Sequence, residues 1–137
     1  MFDRILLPVD GSEHSKRAAL MAAAVASKFG AEVIVFHAVE FKYTGVAAYA
    51  LETWEEAQDL VDDVVRALKD EGISARPEVH EGAAGRAAPA ILDLVKREGV
   101  DLIVMGSRGL TDLRGLLVGS TTHKILHLGG CPVLVVR

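Results

Sequence analysis

The chain has 137 residues, half of them hydrophobic and a quarter charged, which fits one domain with a full core and a solvated surface. A formal net charge of −4 and the lack of clustered Lys and Arg argue against nucleic acid as the main partner. No apolar run approaches the roughly 20 residues of a membrane span, the start MFDRILLPVDGSE does not read as a secretory signal, and a single cysteine, Cys131, forbids an internal disulfide and suits a reducing cytoplasm.

In chain order, RILLPV (residues 4–9) reads as a strand ended by Asp10-Gly11. Ser12 offers an N-cap oxygen to a helix on which Ala18, Met21, Ala22, Val25 and Phe29 recur at helical spacing, closed by Gly30. EVIVFHAV (32–39) is the second strand, and residues 40–50 carry no clear pattern. From about Leu51, the residues Trp54, Ala57, Val61, Val64, Val65 and Leu68 form one apolar face, with an acidic face opposite and Gly72 as the stop. A weaker strand spans 75–80. Gly82-Ala-Ala-Gly85 leads into a third helix that carries Pro89 in its first turn and Ala88, Ile91, Leu92 and Val95 on its apolar face, ending at Gly99. Residues 101–105 are the fourth strand, 120–128 the last helix and 132–136 the fifth strand.

Four of the five strands are near-continuous Val, Ile and Leu, so both their faces are buried and the sheet is parallel, with helices on each side. Right-handed crossovers then give a Rossmann-like, doubly wound, open five-stranded α/β sheet in the order 3-2-1-4-5, a single domain over residues 1–137. Such sheets take a ligand beyond the carboxyl ends of their strands where the winding reverses. Here that place lies between strands 1 and 4.

The loop after strand 4, GSRGLTDLRGLLVGST (106–121), holds four of the thirteen glycines. A strand-to-helix connection usually needs only about 2–6 residues. Gly106 and Gly109 let backbone turn tightly, and Gly119-Ser120 opens a helix, whose free N–H groups and dipole favour phosphate. Ser120, Thr121 and Thr122 add hydroxyl donors. The alternative is that these glycines only make turns and Ser120 only caps. Neither G-x-x-x-x-G-K-[ST] nor a G-x-G-x-x-G after strand 1 occurs, which disfavours a Walker-type NTPase and an ordinary dinucleotide enzyme.

The spacing G-x2-G-x9-G-[ST] at Gly106, Gly109, Gly119 and Ser120 resembles the signature of the ATP-binding branch of the universal stress proteins. RILLPVDGSEHS, EVIVFHAV, DLIVMGSRG and CPVLVVR extend the likeness over nearly the whole chain. The resemblance implies the fold argued above, a homodimer and bound ATP. It places Asp10 near the ribose and a Mg²⁺ carried by ATP, Pro8 and Val9 beside the adenosine, and Ala38 against adenine, where the family often has Val. It adds Met105 and Arg108 to the nucleotide set, sets Gly106 and Gly109 against ribose and phosphates, and gives the phosphates to Gly119, Ser120, Thr121 and Thr122. A nucleotide-dependent regulator of the stress response is the implied role. The alternatives are a slow ATPase or nucleotidyl-transfer enzyme, or a dimeric interaction module with a structural nucleotide.

His14, His37, His80, His123 and His127 suggest no metal cluster, although His123 and His127 stand four apart on a helix. Cys131 reads as an inert core thiol and Trp54 as core or interface. No base is paired with a nucleophile in any recognisable motif. The apolar fifth strand, at the sheet edge, is expected to pair with the same strand of a second copy.

Overall fold

The computed structural model describes residues 1–107 and 120–137. The elements are β1 (Arg4–Pro8), α1 (Glu13–Phe29), β2 (Glu32–Thr44), β3 (Ala47–Ala50), α2 (Trp54–Asp70), β4 (Ala75–Ala83), α3 (Ala87–Glu98), β5 (Leu102–Gly106), α4 (Ser120–Leu128) and β6 (Val133–Val136). The parallel strands lie in the order β4-β2-β1-β5-β6. This is the expected 3-2-1-4-5 order, with the reversal between β1 and β5.

The expected count of five strands is corrected to six. β2 runs on to Thr44, past the expected end at Val39, and its last four residues pair antiparallel with β3, Phe41 opposite Ala50 and Thr44 opposite Ala47. This arm is exposed on both faces, so it shows neither a buried run nor a regular alternation. Its backbone pairing holds it, and that leaves no signature in side-chain type.

Strand alternation divides the core in two. Ile5, Leu7, Val33, Val35, Leu102 and Val104 face α1 and α2, whereas Leu6, Ile34, Phe36, Ile103 and Met105 face α3 and α4. Each fully buried Leu or Ile contributes roughly 1.5–3 kcal/mol of hydrophobic stabilisation. A charge at Ile103, wholly buried at the centre of the second core, would break this fold.

Helix α1 meets the sheet through small residues, Ser15, Ala18, Ala22, Ala23 and Ala26, and not through the expected Met21 and Phe29, both exposed. Alanines allow a close approach of helix to sheet, and Phe29 instead packs edge-on against Phe2, ring centroids 5.3 Å apart. Ser12 caps α1, and Gly30 closes it at φ 68°. Helix α2 opens on a capping box in which Thr53 accepts from the Glu56 N–H and the Glu56 carboxylate accepts from the Thr53 N–H. Trp54, its first residue, is half exposed and outside the core.

Candidate functional site

The carboxyl end of β1 turns into α1 through a hydrogen-bonded loop. Val9 donates its N–H to the Phe36 carbonyl at 2.8 Å, the last rung toward β2. The Asp10 Oδ1 accepts from the Ser12 N–H at 2.9 Å, and the Asp10 N–H donates to Ser15 Oγ at 3.2 Å. Gly11 sits at φ 81°, a conformation that favours glycine. Pro8, Val9 and Asp10 are therefore rigidly presented at the reversal.

Beside them, β5 ends at Met105, buried in the second core, and Gly106. A Cβ on Gly106 would lie 2.8 Å from His14 Cβ and 2.9 Å from the His14 carbonyl carbon. Gly106 thus lets the first turn of α1 come down on the end of β5. Ser107 continues the contact, its Oγ 3.0 Å from His14 Nδ1, while its N–H donates to the Val136 carbonyl. Thr122, in the first turn of α4, donates from Oγ1 to the Gly106 carbonyl at 2.9 Å.

Most of the expected binding set is thereby gathered. Pro8 ends β1 with Val9 and Asp10 directly after it, Met105 and Gly106 end the neighbouring β5, and Ser120, Thr121 and Thr122 start the helix tied to Gly106. Thr122 is only 3 % exposed with its hydroxyl already donated, so it stands as a strut inside the site. Arg108, Gly109 and Gly119 lie outside the described residues.

Ala38 lies one strand over, half-buried in β2 and opposite His80 of β4. It lines a cavity of about 420 Å³ beside the middle of β2, the carboxyl end of β4 and the start of α3, bordered by Glu40, His80, Gly82 and Arg86. That volume lies within the roughly 300–1,000 Å³ of small-molecule sites.

Three features escaped the sequence reading. His14 braces Ser107, and His80 and Arg86 border the cavity. His37 is buried, its Nδ1 2.6 Å from the Val9 carbonyl and its Nε2 2.6 Å from Glu52 Oε1. The signal for His37 was its position inside the apolar run EVIVFHAV, since a buried polar side chain demands partners.

Ser107 and His14 are close enough for a nucleophile and its base, yet Ser107 is 2 % exposed and sealed from any substrate. Burial pushes the Cys131 thiol up from its ordinary value, and the charge of Asp101 pushes the same way. His123 and His127 are exposed, with ring centroids 4.4 Å apart. Among the described residues, no three His, Cys, Asp or Glu side chains gather as metal ligands, and no helix is long and apolar enough to cross a membrane.

A mostly parallel, doubly wound sheet whose winding reverses between β1 and β5 defines a Rossmann-like α/β protein. The chain belongs to the universal stress protein family, whose model matches residues 1–137. It is 40% identical to a universal stress protein of Thermus aquaticus over 141 residues, with all of both chains covered. It is 32% identical to the universal stress protein YxiE of Bacillus subtilis over 155 residues, again with all of both covered. Among solved structures it is similar to MJ0577, a universal stress protein of Methanocaldococcus jannaschii, at TM-score 0.84 and 29% identity over 99% of this chain and 96% of that one. The same fold recurs in a universal stress protein solved with cAMP, TM-score 0.69 and 21% identity over 99% of this chain and 97% of that one. It recurs in one from Archaeoglobus fulgidus solved with dAMP, TM-score 0.72 and 19% identity over 100% of this chain and 98% of that one.

Proposed function

We propose that this protein binds an adenine nucleotide, ATP with its Mg²⁺, at the reversal between β1 and β5, and acts as a nucleotide-dependent regulator. The observation that carries the reading is the tie from Thr122 to the Gly106 carbonyl, 2.9 Å, which sets the start of α4 beside the ends of β5 and β1. A helix start there favours phosphate, and the glycine signature occupies the sequence between Gly106 and Ser120. The cavity at Ala38 has a size that suits a purine base. Ser120 and Thr121 are assigned to the phosphates, with Gly109 and Gly119, and Asp10 to the ribose side. Two relatives of this fold were solved with adenine nucleotides, cAMP and dAMP, which supports the same ligand class.

The regulatory reading is preferred to an enzyme because Ser107, the one hydroxyl paired to a histidine among the described residues, is sealed from substrate. Turnover is expected far below the enzyme median of about 10 s⁻¹, with ATP biasing a conformation or partner surface. A cytoplasmic location suits the free thiol of Cys131. Mass spectrometry of ligand released from the purified protein tests the reading: an adenine nucleotide is expected. A protein that carries none and gives no heat on calorimetric titration with Mg·ATP contradicts it.

A further inference from the structure

His37 is 7 % exposed, and its side chain lies between two acceptors. Nδ1 stands 2.6 Å from the Val9 carbonyl oxygen, and Nε2 stands 2.6 Å from Glu52 Oε1. A carbonyl only accepts, so Nδ1 carries a hydrogen. A neutral imidazole would then turn a bare lone pair at Nε2 toward the carboxylate, and an ionised carboxylate offers only lone pairs. Two acceptors at that distance repel. The contact therefore requires one more proton, on Nε2 or on the carboxyl oxygen. Helix α2 begins two residues after Glu52, and its dipole favours the ionised carboxylate, hence imidazolium opposite it.

The pair joins parts that are remote in sequence. Val9 is the residue after β1, held to β2 through its N–H and followed by Asp10 at the reversal. Glu52 directly precedes the capping box of α2 and follows the arm made by the end of β2 and β3. We propose that His37 and Glu52 share a proton that latches the start of α2 and this arm onto the nucleotide-facing end of β1, making nucleotide binding sensitive to proton concentration. The regulatory half rests on the nucleotide reading above; the shared proton does not.

The neighbouring titratable groups do not replace Glu52. Asp10 accepts from the Ser12 N–H, His14 meets Ser107, and Glu56 accepts from the Thr53 N–H. Glu55 is exposed in the first turn of α2. On β4 the residue opposite His37 is Val79. Glu81, two residues on, shares the face of Val79 but is exposed and stands opposite Val39. Glu78 and His80 point to the other face, where His80 meets the Phe36 ring, and Glu40 of β2 lies on that face by alternation. The sign follows from the proton count. The latch is closed while the proton is bound and opens as rising pH removes it.

The test is nitrogen NMR of the His37 ring across pH, in the full wild-type chain and in Glu52→Gln. A Gln amide donates to neutral Nε2 without any extra proton, so this variant keeps the latch and loses its titration. In the wild type the ring is expected to carry both hydrogens while the contact to Glu52 holds, then to lose one as pH rises, with faster amide exchange over residues 51–54. In Glu52→Gln the exchange there is expected to follow only the intrinsic rate. A wild-type ring that loses its second hydrogen with no change at residues 51–54, or the same titration in both proteins, overturns the shared proton. With Mg·ATP as the probe, wild-type affinity is expected to fall roughly three- to tenfold across that transition, the weight of one hydrogen bond, and to stay level in the variant. PH-independent ATP affinity beside a titrating ring overturns the regulatory half. No ATP binding at any pH, beside a titrating ring, overturns the nucleotide reading and that half, and leaves the shared proton standing.

Discussion

The main chain and Cβ of His14 occupy the space into which a side chain on Gly106 would grow, with Cβ-to-Cβ separation of 2.8 Å. The glycine that opens the G-x2-G-x9-G-[ST] spacing is thus first a packing residue. Gly106→Ala must push the first turn of α1 off the end of β5, an overpacking cost of about 1–3 kcal/mol. Urea denaturation should show a lowered midpoint with or without nucleotide, and an unchanged midpoint would contradict this role.

The proposed reading gives Gly109 and Gly119 to the ligand. Gly109→Val and Gly119→Val should leave the urea midpoint within experimental error and weaken Mg·ATP binding at least tenfold, the added side chains blocking backbone approach to phosphate. Isothermal titration of both variants decides it. Full ATP affinity in the two folded variants would remove the signature from the site.

Thr122 separates strut from ligand in a different way. Thr122→Val keeps the shape but leaves the Gly106 carbonyl without its donor, at a cost of about 1–3 kcal/mol where the group is buried. Stability should fall while ATP affinity per folded molecule stays near wild type. A wild-type midpoint with strongly weakened binding would instead make Thr122 a phosphate ligand.

The parallel frame was legible because buried strands and punctuated helices leave marks in residue type. RILLPV, EVIVFHAV and DLIVM are apolar on both faces, and Ser12, Gly30 and Gly99 mark helix ends by their hydrogen bonding or positive φ. Strand order and the place of reversal followed from that frame. The arm of β2 and β3 was not legible, since Lys42, Tyr43 and Ala47 to Tyr49 are exposed and backbone pairing is blind to side chain. Met21 and Phe29 were misplaced because helical spacing fixes a stripe but not its width, and small residues, Ser15 and four alanines, are the ones buried in the close contact. The bonds of His37 to Val9 and Glu52 span 28 and 15 residues and follow no motif.

Cys131 should be slow toward thiol reagents. Only the thiolate attacks, and burial together with Asp101 raises the thiol above its usual range, so little thiolate exists at neutral pH. Its Sγ also approaches the Val100 carbonyl at 3.6 Å. Alkylation of the native protein at neutral pH should run at least tenfold slower than in denaturant. Equal rates would mean that this thiol is open to solvent.

The last expectation is a homodimer through β6. Within the described sheet this strand pairs with β5 on one side only, and Val133, Leu134, Val135 and Val136 are each partly exposed. An apolar edge without charge is a template for another strand. Pro132 stands before the strand, where it blunts only the start, and Arg17 covers only the far end, donating from Nε to the Arg137 carbonyl at 2.8 Å. The same edge on a second copy is self-complementary about a two-fold axis, which makes the pairing antiparallel and isologous. Such a join buries the free backbone groups together with Val and Leu side chains. Leu134→Pro removes one backbone donor and should shift the protein toward monomer, with circular dichroism as the check that the fold persists. The wild-type chain should sediment as a dimer at micromolar concentration, with β6 amides slow to exchange. A wild-type monomer would refute the dimer, and a dimer whose β6 amides exchange freely would place the interface elsewhere.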